Sequence, residues 1–448
     1  MASRERWLPW ALFTGATLLF GGINIHNSWT MAPNWGHDIA FFHQWVHSAA
    51  TGGPWASPLI LEPQGFFAMV HTHLVMPLVV GLYALVSRQE LVLLCHSAFA
   101  CLAVVPLYRL GASLQGPRFG LLGVAALLCY GPFQSAATVD FRPLVLFLPG
   151  LLGVWEAARR GATREALLWA GVALCGRQEA SYLLAATGGA LCVVPWGGRR
   201  QWRVGAAILT LGLLSLVGWV LLKEQMFFHF NPLNPAPAPI LEPEWAEARW
   251  SFAGSLLRSG WVLGLASPAG LIAALPLARE MLHTSREWTL LVGPGAHYHA
   301  AWLPFVAASG MAGTSRVMDL VGVRMATWKG WIAPAVLVAN ALAFPWIGPR
   351  TGPTELRDLT RQVDEHARVA ADYDTIHALA GREVLWNIEQ LYLPEDEKPL
   401  HWTDPWPLTL DEVDWVLMPA DHPLGERLET WQVLDQRGRH VLLRRPVE

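Results

Sequence analysis

Charge is scarce in this chain, and what there is gathers unevenly. Only 15% of the 448 residues are Asp, Glu, Lys or Arg, while 53% are hydrophobic. A water-soluble domain of ordinary composition carries about a quarter charged residues, so water is not the main solvent of this chain. Cysteine is also rare. Cys95, Cys101, Cys129, Cys175 and Cys192 all lie in apolar runs, with no CxxC spacing among them. That excludes a disulfide scaffold or a zinc ribbon and reads the five as small buried hydrophobes. No HExxH spacing is present, and the last hundred residues hold neither a nucleotide-binding glycine loop nor a nucleophile elbow. The apolar run after Trp7 is followed by no small-residue cleavage site, which reads it as a retained first span with Arg4 and Arg6 on the cytoplasmic side.

The charge that is present divides the chain in two. Residues 1–350 hold 22 Lys/Arg and 15 Asp/Glu, whereas residues 351–448 hold 10 and 20. The boundary falls near Pro349-Arg350-Thr351-Gly352-Pro353, giving a membrane domain over 1–350 and a soluble acidic domain over 351–448. An acidic tail argues against nucleic acid or anionic lipid as its partner.

A helix needs about 20 apolar residues to cross about 30 Å of hydrocarbon. Stretches of that character fall at residues 8–25, 91–108, 119–138, 143–158, 165–177, 180–196, 204–222, 259–277, 286–296, 299–314 and 330–348. The expected architecture is therefore an all-α polytopic membrane protein of about eleven spans with a small C-terminal α/β domain. Leu74–Val86, bounded by His73 and Arg88, is too short to cross and reads as a helix lying in the outer interface. With that topology fifteen Lys/Arg of the membrane part fall on the cytoplasmic side and seven on the outer side, as the positive-inside rule requires. A tight hairpin at Gly176–Glu179 keeps Arg199, Arg200 and Arg203 inside. The N-terminus is then cytoplasmic and the C-terminal domain lies outside the inner membrane. Trp7, Trp10, Trp29, Trp196, Trp202, Trp288 and Trp346 stand near span ends, where indoles anchor at the headgroup level. In the tail, Thr354–Ala380 reads as a helical stretch broken at Gly381. Glu383–Ile388, Val413–Met418 and a hairpin over Val433–Arg444 read as strands. Such a domain suits a lid or a docking module for the membrane part.

The polar residues gather on the predicted outer side. The first outer loop, residues 26–90, holds His37, Asp38, His43, His47, Glu62, His71 and His73. Later outer turns carry Asp140 and Arg142, then Arg177 and Glu179, then His297, Tyr298 and His299. Ionisable groups at membrane depth cost about 2.5 to 3.5 kcal/mol each even on the lenient insertion scale, so two acids and two arginines from three turns point to one polar pocket. Each has a plain structural alternative. Asp38 could cap the helix reading from Ile39 to Ser48. Asp140 with Arg142, and Arg177 with Glu179, could be mutual pairs that pin their turns. His71 with His73, and His297 with His299, have i, i+2 spacing that suits an irregular metal clip, though no standard ligand spacing accompanies it. His43 and His47 share a helix face and read as surface residues.

At these residues the sequence resembles a known layout. A first span, a long outer loop with an early acid, juxtamembrane helices and a second acid in the next outer turn are similar to the C-type glycosyltransferase (GT-C) fold. More closely, the chain resembles an uncharacterised family of bacterial multi-pass membrane proteins grouped with those enzymes. The resemblance is carried by Gly36-His37-Asp38-Ile39-Ala40-Phe41-Phe42-His43-Gln44-Trp45, His73-Leu74-Val75-Met76-Pro77, Asp140-Phe141-Arg142-Pro143, Gly176-Arg177-Gln178-Glu179 and His297-Tyr298. It runs through the membrane part and into the tail around Ala367–Arg382. Arg177-Gln178-Glu179 stands where the family pattern has a Lys-Glu-Asp-like run, so that charge pattern is kept only in part. The resemblance implies transfer of a sugar from a polyprenyl-phosphate donor to an acceptor on the outer face. It gives Asp38 and Asp140 catalytic roles. His37, His73, Arg142, Arg177, Glu179, His297 and Tyr298 become substrate-binding residues, with membrane lipids as the surroundings. A divalent ion is the one cofactor left open, with His71, His73, His297 and His299 as candidate ligands. Two other classes compete: a transporter or lipid flippase, and a non-catalytic assembly or sensor protein. Interrupted helices favour the first, but no inverted repeat is visible and the charges avoid the bilayer midplane.

Overall fold

A computed structural model describes residues 3–31, 37–53, 55, 57, 59, 73–196, 198, 200–222, 261–275, 277, 299–322, 348–372, 375–382, 385–388 and 410–446. The chain begins with a 27-residue helix, α1 (Ser3–Trp29), followed by α2 (His37–Ala50) and α3 (Met76–Leu85). Next come α4 (Gln89–Cys101), α5 (Val104–Gln115), α6 (Pro117–Leu128) and α7 (Gly131–Thr138). A 3₁₀ turn at Pro143–Leu146 leads into α8 (Phe147–Arg160), which is followed by α9 (Thr163–Gly176), α10 (Ala180–Val193) and α11 (Trp202–Leu222). A 3₁₀ segment at Trp261–Ala266 precedes the short α12 (Ala269–Ala273), and α13 (His299–Leu320) packs among α5, α7 and α8.

Among the described residues three helical stretches are long and apolar enough to span: Trp7–Trp29, Gln89–Gln115 and Trp202–Leu222. A fourth exists if α6 and α7, bent by 67°, form one broken span. The expected count of about eleven is not reached on these grounds. The helices α8, α9 and α10 have 14 residues each, which is about 21 Å of rise against about 30 Å of hydrocarbon. The expected stretches 286–296 and 330–348 lie outside the described residues. α3 appears where an interfacial helix was expected. It buries Met76, Val79, Val80 and Tyr83 and exposes Leu78, Leu82 and Leu85. The chain also breaks between α9 and α10 at Arg177–Glu179, as expected.

Close packing between these helices relies on small residues, because apolar side chains gain little from each other when lipid is the alternative. Along the α10–α11 seam a Cβ on Gly205 would lie 2.8 Å from the backbone N of Cys192. A Cβ on Gly150 of α8 would lie 2.6 Å from the Cβ of Ala173 on α9. The bundle core between them holds Phe20, Tyr108, Phe133, Trp155, Trp196 and Phe305, all fully buried. Trp196 therefore departs from its expected place at the headgroup level. Its indole N–H donates to the carbonyl of Trp155 at 2.9 Å, a partner that only the fold supplies. Trp7, Trp29 and Trp202 are exposed as expected. All five cysteines are free thiols, Cys95 and Cys101 buried and the other three half-buried.

At one end of α8, Arg160 grips the buried Glu156 at 2.6 Å and Glu165 at 2.7 Å, and Arg109 reaches Glu165 at 3.4 Å. These residues belong to the arginine-rich side of the sequence-derived topology. Asp38, Asp140 and Arg142 meet at the opposite end of α8.

The C-terminal part starts with α14 (Thr354–Thr360) and forms a five-stranded sheet from β1 (Val369–Ala371), β2 (Leu385–Asn387), β3 (Trp415–Pro419), β4 (Gln432–Arg437) and β5 (His440–Arg444). The spatial order is β2-β1-β3-β5-β4. β1 runs parallel to β2 and β3, and β5 runs antiparallel to β3 and β4. The expected strands are present, and the hairpin turns at Gly438. The helical reading of Thr354–Ala380 is corrected, because α14 ends at Thr360 and Val369–Ala371 is an interior strand of the sheet, between β2 and β3. A strand buried on both faces reads as a plain apolar run and leaves no alternation to detect.

Replacing Gly205 with Val is expected to overpack the α10–α11 seam by about 1 to 3 kcal/mol and lower the thermal midpoint in detergent. Gly189→Ala, where a Cβ meets nothing within 4 Å, is expected to change stability by less than about 0.5 kcal/mol.

Candidate active site

Asp38, Asp140 and Arg142 meet where α2 starts and α7 ends. Asp140 follows α7 with a φ of 58°, in the left-handed region that Asp and Asn tolerate better than most residues. That conformation turns its carboxylate back over the chain. Oδ1 accepts the N–H of Phe141 at 2.8 Å, and Oδ2 accepts the N–H of Asp38 at 2.9 Å. The α2 terminus is thus capped from 102 residues away. Asp38 is not its own helix's cap, since α2 already begins at His37 and Asp38 lies within the first turn. Asn24 of α1 donates to the Asp140 carbonyl at 3.0 Å and fixes the same turn from a third side.

Arg142 points to Asp38, not to its near neighbour Asp140 as a local pair would require. Its Nη1 lies 2.8 Å from Asp38 Oδ2, and both side chains keep partial exposure, 22% and 31%. The Arg142 backbone N–H donates to Nδ1 of His96 at 3.0 Å, and His96 Nε2 donates to the Ala136 carbonyl at 2.8 Å. His96 of α4 is therefore a neutral bridge whose tautomer is set by two backbone groups. Asp140 is nearly fully buried. Burial and the adjacent Asp38 carboxylate push its carboxyl above the usual range, opposed by Arg142 and by the two backbone N–H groups.

The second charged turn stands beside this knot. Arg177 holds Glu179 through two nitrogens, with Nε to Oε2 at 2.9 Å and Nη2 on Oε1. His73 Nδ1 donates to the Gly176 carbonyl at 2.6 Å, and the Val75 N–H to the Cys175 carbonyl at 3.0 Å. The two turns are joined by rings: Phe42 contacts His73 with centroids at 5.3 Å and Phe141 at 5.1 Å. Asp38, Asp140 and Arg142 thus form one cluster. Arg177 and Glu179 form a pair one aromatic layer away. His37 opens α2 and His299 opens α13. Glu62, His71, His297 and Tyr298 fall outside the described residues.

Of the two histidines read as surface residues, His43 is buried and His47 half-buried. His43 Nε2 lies 2.9 Å from the Tyr83 hydroxyl, while His47 Nδ1 lies 3.4 Å from the same oxygen. Burial, with His47 nearby, pushes the His43 imidazole down to about 3, so it stays neutral. Among the described residues no three His, Cys, Asp or Glu side chains gather as a metal site, and His73 Nδ1 is committed to a carbonyl.

Sequence reasoning passed over Asn24 and His96, although each is a strongly polar residue inside an apolar span. That anomaly was their signal.

Paired helices closing over an acid and arginine knot at one end, with a sheet domain beside it, make this a GT-C-like membrane fold. Over 97% of its length the chain is similar to the crystal structure of ArnT from Cupriavidus metallidurans bound to undecaprenyl phosphate. The identity is 13%, the coverage of that chain 97% and the TM-score 0.56. The oligosaccharyltransferase of Archaeoglobus fulgidus in the apo form is also similar, at 12% identity over 94% of this chain and 70% of that one, with a TM-score of 0.48. The model of a family described as predicted membrane protein (DUF2079) matches residues 34–227. That stretch contains the knot and the Arg177–Glu179 turn, and leaves out His297 and Tyr298. No curated protein matches the chain.

The raised Asp140 carboxyl gives stability a pH slope. A group whose native value lies above its unfolded value contributes stability that is complete below the ordinary carboxylate range and is lost as pH rises through the raised value. The thermal midpoint of the wild type is expected to fall as pH rises above that range. Asp140→Asn, which also tolerates the left-handed turn, is expected to flatten that slope; an unchanged slope would assign it to other groups.

Proposed function

We propose that this protein is an integral-membrane glycosyltransferase that moves a sugar from a polyprenyl-phosphate donor to an acceptor at the outer face of the inner membrane. The observation that carries this reading is the Asp38–Arg142 pair, 2.8 Å apart and partly open to solvent, seated on the buried Asp140. An oxygen base and a phosphate-binding fork are the two groups such a transfer needs. The bound undecaprenyl phosphate of the similar ArnT structure supports a lipid phosphate as the donor's carrier.

In this reading the acceptor hydroxyl attacks the anomeric carbon while the Asp38 carboxylate takes its proton. The bond from that carbon to the phosphate oxygen breaks, and the polyprenyl phosphate leaves with one more negative charge. The Arg142 guanidinium forks onto the phosphate oxygens and stabilises that charge as it develops. Arg177, oriented by Glu179, supplies a second cation from the neighbouring turn. Asp140 does not touch substrate. It fixes where Asp38 and Arg142 stand, which makes it a positioning residue. The reaction as written routes no step through a metal ion.

Purified protein in nanodiscs, offered a panel of polyprenyl-phosphate sugars, is expected to cleave at least one of them. Asp38→Asn is expected to lose about a hundredfold to ten-thousandfold in turnover. Arg142→Ala is expected to lose roughly a hundredfold to a thousandfold. Full activity in both variants, or no cleavage of any donor by the wild type, would overturn the proposal.

A further inference from the structure

Gln44 lies 6 residues beyond Asp38 on α2 and reaches away from the membrane helices. Its Oε1 accepts the N–H of Gly381 at 3.0 Å, and its Nε2 donates to the carbonyl of Arg382. One side-chain amide thus clamps two consecutive backbone groups of the C-terminal part. The clamp is built to a tight fit. Gly381 has a φ of +94°, and a Cβ there would lie 2.9 Å from the His43 ring, one residue along α2. Ala40, two residues from Asp38, belongs to the same apolar cluster as Leu359, Val369, Ile376 and Leu417 of the sheet domain. The opposite face of α2, with Ile39, Phe42, Trp45 and Val46, packs against α3 and α4. Non-directional apolar contact holds α2 on that side, with Tyr83 bonding His43 and His47. The two-pronged amide clamp fixes its position along the axis.

We infer that Gln44 is a positioning residue through which the C-terminal domain sets Asp38 in place, so that the sheet domain is part of the site and not an appendage. This rests on the transfer reading for its kinetic consequence, though the mechanical coupling stands apart from it. The same geometry separates the two charged partners. Arg142 is held by its own N–H on His96 of α4, which the clamp does not touch. Loosening α2 therefore displaces the base and the ion pair it makes, while the Arg142 backbone stays anchored on α4 and its guanidinium can still fork onto a phosphate.

The test compares wild type, Gln44→Ala and Gly381→Ala in nanodiscs. The second variant attacks the clamp from the tail side and keeps the test open should the first fold poorly. Amide hydrogen exchange over residues 37–50 is expected to quicken in both. Affinity for undecaprenyl phosphate is expected to stay within about twofold, since the backbone anchor of Arg142 on α4 is untouched. Turnover of a cleaved polyprenyl-phosphate sugar is expected to fall about tenfold to a hundredfold, as a misplacement near 1 Å does. Unchanged exchange over α2 in both variants would overturn the coupling, and so would parallel losses of affinity and turnover. If the wild type cleaves no donor, the transfer reading fails, while the exchange comparison still decides whether the tail holds α2.

Discussion

The backbone N–H of Asp38 ends on the carboxylate of Asp140, and four elements meet around that bond. Asp140 receives α2 on one oxygen, the chain's own next N–H on the other, and α1 on its carbonyl through Asn24. Arg142, two residues on, is tied by its N–H to α4 and by its guanidinium back to α2. Burying a carboxyl is costly unless hydrogen bonds and opposite charge offset the lost hydration. Here they do so in part, and the remainder appears as the raised pKa of Asp140. Remove the carboxylate and the N–H groups of Asp38 and Phe141 lose their acceptor, and the base and the arginine lose the common floor they stand on.

The two ends of the bundle treat charge differently. At the arginine-rich end, Arg160 and Arg109 saturate Glu156 and Glu165 in a network that closes on itself. At the opposite end, the buried acid is satisfied by backbone and the partly exposed acid by one arginine. The first arrangement is a staple. The second leaves a carboxylate and a guanidinium side by side at the surface, where a substrate phosphate and a hydroxyl can compete for them.

The C-terminal domain grips the same end. Arg350 joins α1 through Asn27 and Thr30 at 2.8 and 2.6 Å, Gln89 of α4 donates to the His377 carbonyl at 3.2 Å, and Gln44 of α2 clamps Gly381 and Arg382. The N-terminal helices are thereby bonded to backbone groups before the sheet, at Arg350, and between β1 and β2, at His377, Gly381 and Arg382. Backbone partners demand a fixed loop path, which is why Gly381 must take a conformation that most side chains would strain.

Much of this was legible in the sequence because it depends on local composition. Apolar runs marked the helices, the placement of arginine marked one end of the bundle, and short runs bounded by turn residues marked β2, β3 and the β4–β5 hairpin. The clustering of Asp38, Asp140 and Arg142 followed from asking which polar residues share a side. What the sequence could not reveal were identities of partners. A histidine in an apolar run reads alike whether it faces lipid headgroups or, as His43 does, a buried tyrosine. Trp196 near a span end reads as an anchor until the Trp155 carbonyl is found beneath it. Val369–Ala371 reads as helix until two strands flank it. The reason is the same in each case. Hydropathy and periodicity report the solvent a segment needs, which the residues themselves determine. Hydrogen-bond partners 100 or more residues apart, such as Asp38 with Asp140, are chosen only when the chain has folded and brought their backbones within reach.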